Sequence, residues 1–307
     1  MSNIELNKTL KSADTEEYID IIFYRRLGYQ VAKASARLGI RPNTITIISI
    51  FWGVLAGHLY YYENFWINLA GVLSLMIANT LDSADGQLAR MTNDKTRLGR
   101  ILDGLAGNIW FISIYIHILL RLLHSGYGSW VIVLGIFTGA FHIFQAAIAD
   151  YYRNAHLFFI KGESGSEFHN SEQIKAEIET LSWKEHFWYK LFMKSYLNYT
   201  HEQELFTRNL QHLIRVVKEK YRDAIPENIR EGFRSEDKPL MKIANILTFN
   251  TRAIALWIAV LINLPIAYWI FEITVLNILL FYMVYRNETI SKKYLQIILQ
   301  NNTSQPQ

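Results

Sequence analysis

The sequence predicts an all-α polytopic membrane protein with six transmembrane helices, an N-terminal interfacial helix and a helical cytoplasmic insertion. Three observations predict it. Apolar residues gather in blocks of about 20, the length that crosses a bilayer, toward both ends of the 307-residue chain. Charge gathers between those blocks. Basic residues crowd alternate connections and leave the others almost bare.

The elements follow in order. Residues 1–17 are polar and mixed in charge, without the basic-then-apolar pattern of a cleaved leader. The first spanning helix is therefore expected to direct insertion. Residues 18–38 interleave Ile19, Ile22, Phe23, Leu27 and Val31 with Arg25, Arg26, Lys33 and Arg37. Such a stretch reads as an amphipathic helix at the membrane surface; an ordinary packed helix is the alternative. Spans are expected at residues 45–62, 65–81, 101–123 and 130–149, and two more within 247–285. Asn263, Leu264 and Pro265 supply the turn between the last two, because proline ends helices and biases the residue before it. The expected organisation is residues 1–44 interfacial, 45–150 spans one to four, 151–242 the insertion, 243–286 spans five and six, and 287–307 a tail. Within the insertion, one helical face collects Trp183, Phe187, Trp188, Leu191 and Phe192. A second collects Leu210, Leu213, Ile214, Val217 and Tyr221. Both are expected to form the core of a small helical subdomain.

Charge orients the spans. The N-terminal segment, the connection after span two, the insertion and the tail are all basic, the insertion alone holding fifteen Lys and Arg between Arg153 and Lys242. The other three connections carry only Arg121. By the positive-inside rule both termini are expected in the cytoplasm. The membrane expected is a bacterial inner membrane.

Composition removes several function classes. Cysteine is absent, which excludes disulfides and thiolate metal sites. The net charge of +4 is modest, and no basic run interleaved with aromatics is present, so no nucleic-acid partner is expected.

The chemistry concentrates where span two ends and span three begins. Asp82 and Asp85 share a helical face at i, i+3. Asp103 lies about one turn into the next, antiparallel span. All three can therefore meet at one depth. Carboxylates without His or Cys suit hard cations such as Mg²⁺ or Mn²⁺, which bind substrate phosphates. Acidic groups at a membrane edge are costly unless paired or holding an ion. Gly86, Ala89 and Gly99 remove bulk nearby, and Arg90 offers a fork for phosphate. The competing reading has the three acids ion-paired with Arg90, Arg97 and Arg100 in a solvated loop.

This stretch resembles the signature of the CDP-alcohol phosphotransferase family, Asp-x2-Asp-Gly-x2-Ala-Arg-x8-Gly-x3-Asp-x3-Asp. It matches at Asp82, Asp85, Gly86, Ala89, Arg90, Gly99 and Asp103 with every gap intact. Arg41-Pro42-Asn43-Thr44-Ile45-Thr46 is similar to the segment preceding the family's first span. The resemblance implies transfer of a substituted phosphate from a CDP-linked lipid, CDP-diacylglycerol above all, to an acceptor alcohol, with release of CMP in phospholipid synthesis. It implies that Asp82, Asp85 and Asp103 hold the metal. Gly86, Ala89, Arg90 and Gly99 would form the CMP pocket, with Asn43 and Thr46 lining it. It also allows a homodimer surrounded by membrane lipids. Residues 151–242 have no counterpart in that resemblance.

One position departs. The family's last aspartate, a metal ligand and proposed base, is here Gly107. Asp150, at the expected depth of span four, is a candidate replacement base; deprotonation by the metal or by the acceptor's own phosphate is another route. Arg252 and Arg153 are candidate contacts for an anionic acceptor, although Arg252 also suits a lipid phosphate. A catalytically inactive scaffold that binds CDP-lipid and metal is the rival of a different class. A cation carrier is a third reading, disfavoured because the carboxylates sit at a membrane edge.

Overall fold

The computed structural model describes residues 12, 14–94, 96–162, 171–182, 186–221 and 224–303. Every regular element among them is a helix. In chain order these are α1 (Arg25–Arg37), α2 (Pro42–Leu59), α3 (Phe65–Thr92), α4 (Arg97–His124), α5 (Trp130–Lys161), α6 (Ser171–Thr180), α7 (Phe187–Leu205), α8 (Arg208–Tyr221), α9 (Glu227–Ile246), α10 (Phe249–Leu261), α11 (Ile266–Phe271) and α12 (Asn277–Thr303). Short π-helical segments, Asp20–Tyr24 and Glu272–Leu276, lead into α1 and α12.

Six stretches among the described residues are long and apolar enough to cross a membrane: Pro42–Leu59, Phe65–Thr92, Leu102–His124, Trp130–Lys161, Glu227–Leu261 and Ile266–Gln300. The chain is an all-α integral membrane protein. The turn expected at Asn263–Pro265 is present, with Asn263 in the left-handed region at φ 58°. Helices α3 and α5 outrun their apolar blocks, and α12 carries most of the stretch expected as a tail. Continuous backbone hydrogen bonding extends a helix past the point where its side chains stop being apolar.

The chain divides into two compact units, Met1–Ile143 with Asn250–Thr274, and Phe144–Phe249 with Val275–Gln307.

In the first unit, local chemistry sets each helix end. Pro42 opens α2 after extended Arg41. Asn64 caps α3 by accepting from the amides of Trp66 and Ile67 at 2.9 and 3.1 Å. Asn93, left-handed at φ 56°, stops α3, and Thr96 caps α4 through the Gly99 amide at 2.9 Å. Packing then uses small residues, as expected where lipid supplies no hydrophobic drive between helices. A Cβ on Gly53 would fall 2.0 Å from Trp110 Cδ1, so only glycine lets α2 meet α4 there. Helix α1 buries Gly28, Tyr29, Ala32 and Ser35. Gly28 lies against Ser83 and the Ala84 amide of α3, and Gln87 donates to the Arg25 carbonyl at 3.0 Å. The apolar residues Ile19, Ile22 and Phe23 before α1, and Leu27 within it, are exposed.

Two fully buried arginines of this unit are held by hydrogen bonds or an ion pair. Arg121 donates to the Tyr60 carbonyl at 2.8 Å and to Asn68 and Asn263 at 3.4 and 2.5 Å. The lone basic residue of the bare connections is thus absorbed inside the bundle. Arg252 is paired with Glu272, which also meets His142 at 3.2 Å and accepts from Tyr115.

In the second unit, α8 buries Leu210, Leu213, Ile214 and Val217, the face the sequence marks as core. The other expected face differs. Phe187 and Leu191 are exposed, and α7 buries Met193, Thr200 and Gln203 instead. Gln203 is anchored to the Ala147 carbonyl at 3.1 Å, and that polar contact selects the inward face of α7. Trp183 lies outside the described residues, as do the side chains of Trp188 and Phe192. A buried polar group joins α5, α9 and α12: His156 meets Asp237 at 2.8 Å, and Asn287 donates to the same carboxylate at 2.7 Å. Phe159 stacks on Phe233 beside it, centroids 3.9 Å apart.

Candidate active site

The motif spans the end of α3 and the start of α4. Asp82 and Asp85 project near the end of α3, and Asp103 stands within the first two turns of α4. One carboxylate oxygen from each lies within 4.8 Å of the others. Asp85 is buried, Asp82 half-buried and Asp103 exposed, so the cluster grades from the bundle interior to its surface.

Helix α2 supplies the wall behind Asp85. Thr46 Oγ1 donates to Asp85 Oδ2 at 2.5 Å and also approaches the Pro42 carbonyl at 3.3 Å. The contact fixes the orientation of the carboxylate. Asn43, one turn earlier, packs onto the first turn of α4. Its Oδ1 would lie 2.7 Å from a Cβ on Gly99, so glycine is required for that approach.

Arg90 folds back along α3 over Gly86, where a Cβ would stand 3.4 Å from its Nη1. Its Nε and Nη2 are buried with no hydrogen-bond partner among the described residues. Buried guanidinium donors are costly when unsatisfied, which marks them as a place for an anionic oxygen. The side chains of Arg97 and Arg100, which the rival ion-paired reading also invokes, lie outside the described residues. Ala89 is half-buried on the same helix.

The three oxygens fit a hard divalent cation by donor chemistry and spacing. Gly107 is one turn beyond Asp103 on the same face of α4, and a Cβ there would meet nothing within 4 Å. The fourth carboxylate of the motif is missing although the backbone has room for it.

The remaining expected residues fall elsewhere. Arg252 is 1% exposed and bound to Glu272 inside the bundle, so its charge is committed there rather than presented to an acceptor. His142 is likewise a packed, hydrogen-bonded residue. Asp150 and Arg153 are half-buried in the second unit, where Asn154 donates to Asp150 at 3.2 Å. Thr96 is a site-shaping residue that the sequence reading passed over; its Ser/Thr-type cap position just before α4 is the signal that would have found it.

Comparison with known proteins shows what this part of the chain is similar to. Residues 40–158 match the family model described as CDP-alcohol phosphatidyltransferase. A stretch of 74 residues is 39% identical to a protein of Pyrococcus horikoshii named archaetidylinositol phosphate synthase, covering 24% of this chain and 38% of that one. Another of 81 residues is 32% identical to an uncharacterized protein of Aquifex aeolicus, covering 26% and 40%. The matched stretches thus span about two fifths of these relatives. No solved structure matches.

Proposed function

We propose that the chain is an active membrane transferase of this class. It moves a substituted phosphate from a CDP-linked lipid to an acceptor alcohol and releases CMP. The observation that carries this reading is the convergence of three carboxylates from two helices within 4.8 Å. The buried Nε and Nη2 of Arg90, without a hydrogen-bond partner among the described residues, support it.

Asp82, Asp85 and Asp103 would hold Mg²⁺ or Mn²⁺, which when bound supplies charge neutralisation and orientation at a diphosphate. Thr46 holds Asp85 in place for that task. Arg90 takes a phosphate oxygen of the nucleotide, over the glycine surface at Gly86, while Gly99 and Asn43 close the pocket. The acceptor oxygen bonds to the phosphorus distal to cytidine, and the bond from that phosphorus to the bridging oxygen breaks. CMP leaves with the electron pair. In-line placement of the two oxygens is the main contribution the residues make.

Because position 107 carries no carboxylate, the acceptor's own phosphate receives the hydroxyl proton in this reading. The Pyrococcus relative is named archaetidylinositol phosphate synthase, which favours a phosphorylated polyol as acceptor here. CDP-diacylglycerol is the proposed donor. A cytoplasmic active site and a bacterial inner membrane are the proposed setting.

The test is acceptor-dependent CMP release by purified protein with Mg²⁺ or Mn²⁺ across a panel of phosphorylated and plain alcohols. Asp82→Asn is expected to lower it by about a hundredfold or more, as removal of a main electrostatic group does. Asp150→Asn in the same assay tests the alternative base. Metal-dependent nucleotide binding without CMP under every condition would replace this reading with the inactive scaffold, for which Gly107 is the specific observation.

A further inference from the structure

Two histidines stand together well away from the carboxylates. His58 is in the last turn of α2, and His117 lies fourteen residues beyond Asp103 on α4, about 21 Å along the helix by its rise. Their rings are perpendicular, with His58 Nδ1 3.3 Å from His117 Nε2. That spacing is long for an N–H hydrogen bond, whose usual range ends near about 3.2 Å. It equals the separation of two nitrogens each about 2.0–2.1 Å from one tetrahedral ion, roughly 3.3 Å.

The surroundings prepare His117 for that role. Its Nδ1 is 2.8 Å from the Ser113 carbonyl, one turn back on α4. A carbonyl only accepts, so Nδ1 carries the proton and Nε2 presents a lone pair toward His58. A ligating imidazole is held in this manner by its other nitrogen. Helix packing fixes the partner: Gly57, beside His58, touches Ser113 so closely that a Cβ would lie 2.4 Å from its Oγ. His58 is exposed and His117 half-buried, so water can complete the coordination. Tyr62 sets its ring edge-on to His58 at 5.7 Å.

We propose that His58 and His117 form a second metal site, specific for a divalent transition ion such as Zn²⁺, Cu²⁺ or Ni²⁺. Imidazole nitrogen prefers these ions, whereas oxygen sites take Mg²⁺ or Mn²⁺. The ion clips α2 to α4 at the end of the first unit remote from the carboxylates.

Full-length, tag-free protein in detergent is titrated with Zn²⁺ against a chromophoric chelator, with excess Mg²⁺ occupying the carboxylates. One equivalent of Zn²⁺ is expected to bind the wild type and Asp82→Asn alike. His58→Gln and His117→Gln are each expected to lose at least about tenfold in affinity. Zn²⁺ is expected to raise the melting temperature of the wild type and of neither histidine variant. Should either variant fail to fold, electron paramagnetic resonance of Cu²⁺ on the wild type decides, two coupled nitrogens being the expected pattern. No Zn²⁺ bound under excess Mg²⁺, unchanged affinity in both variants, or a Cu²⁺ spectrum with oxygen ligands alone would overturn the proposal.

Discussion

Thr46 shows how a single hydroxyl shapes the candidate site. Its bond to Asp85 orients a buried carboxylate, and such outer partners are typically worth about ten- to a hundredfold in metal affinity. Thr46→Val is expected to raise the Mg²⁺ concentration for half-maximal CMP release by about that factor, while Thr46→Ser restores most of it. Position 107 makes the opposite experiment. A Cβ fits there without contact, so Gly107→Asp is expected to fold normally. It is expected to raise CMP release with non-phosphorylated polyols, because the added carboxylate supplies a proton acceptor that those alcohols lack. No rise would count against deprotonation by the acceptor's phosphate. The motif residues were legible in the sequence because their spacing is fixed along two helices. Thr96, and the burial of Arg252, were not, since both depend on which groups face one another after folding.

At the scale of elements, small residues decide the packing. The sequence draws the eye to the apolar residues of the N-terminal amphipathic stretch, yet α1 packs through Gly28, Ala32 and Ser35, and Ile22, Phe23 and Leu27 are exposed. In a bilayer, apolar side chains gain little by leaving lipid, whereas close backbone approach gains dispersion contacts. Gly28→Leu is expected to cost about 1–3 kcal/mol by overpacking against Ser83 and Ala84, read as a lower melting temperature in detergent. The Arg252–Glu272 pair ties α10 to the segment after α11, with His142 and Tyr115 completing its contacts. Removing one member of a buried pair leaves an uncompensated charge. Glu272→Gln is therefore expected to destabilise by about 3–5 kcal/mol, and Glu272→Gln with Arg252→Gln by less than the sum of the single variants. A melting series across the four proteins measures the coupling.

For the whole molecule, the pattern of basic connections makes a topological prediction that the absence of cysteine renders easy to check. Single cysteines at Ser12 and at Ser129 are expected to label from opposite sides of sealed vesicles, Ser12→Cys from the cytoplasmic side. Labelling of both from one side would contradict the six-span orientation. The sequence by itself determined the helical class, the six apolar stretches, the turn at Asn263–Pro265 and the carboxylate motif. Each of these is written in local periodicity, in proline and glycine positions or in fixed spacing, which the chain carries whatever its partners. Only the tertiary structure decided that Arg121 and Arg252 are consumed inside the bundle, and that His58 meets His117. Those outcomes turn on contacts between residues far apart in the chain, where the high cost of an unpaired buried charge selects one arrangement among many that the same pattern permits.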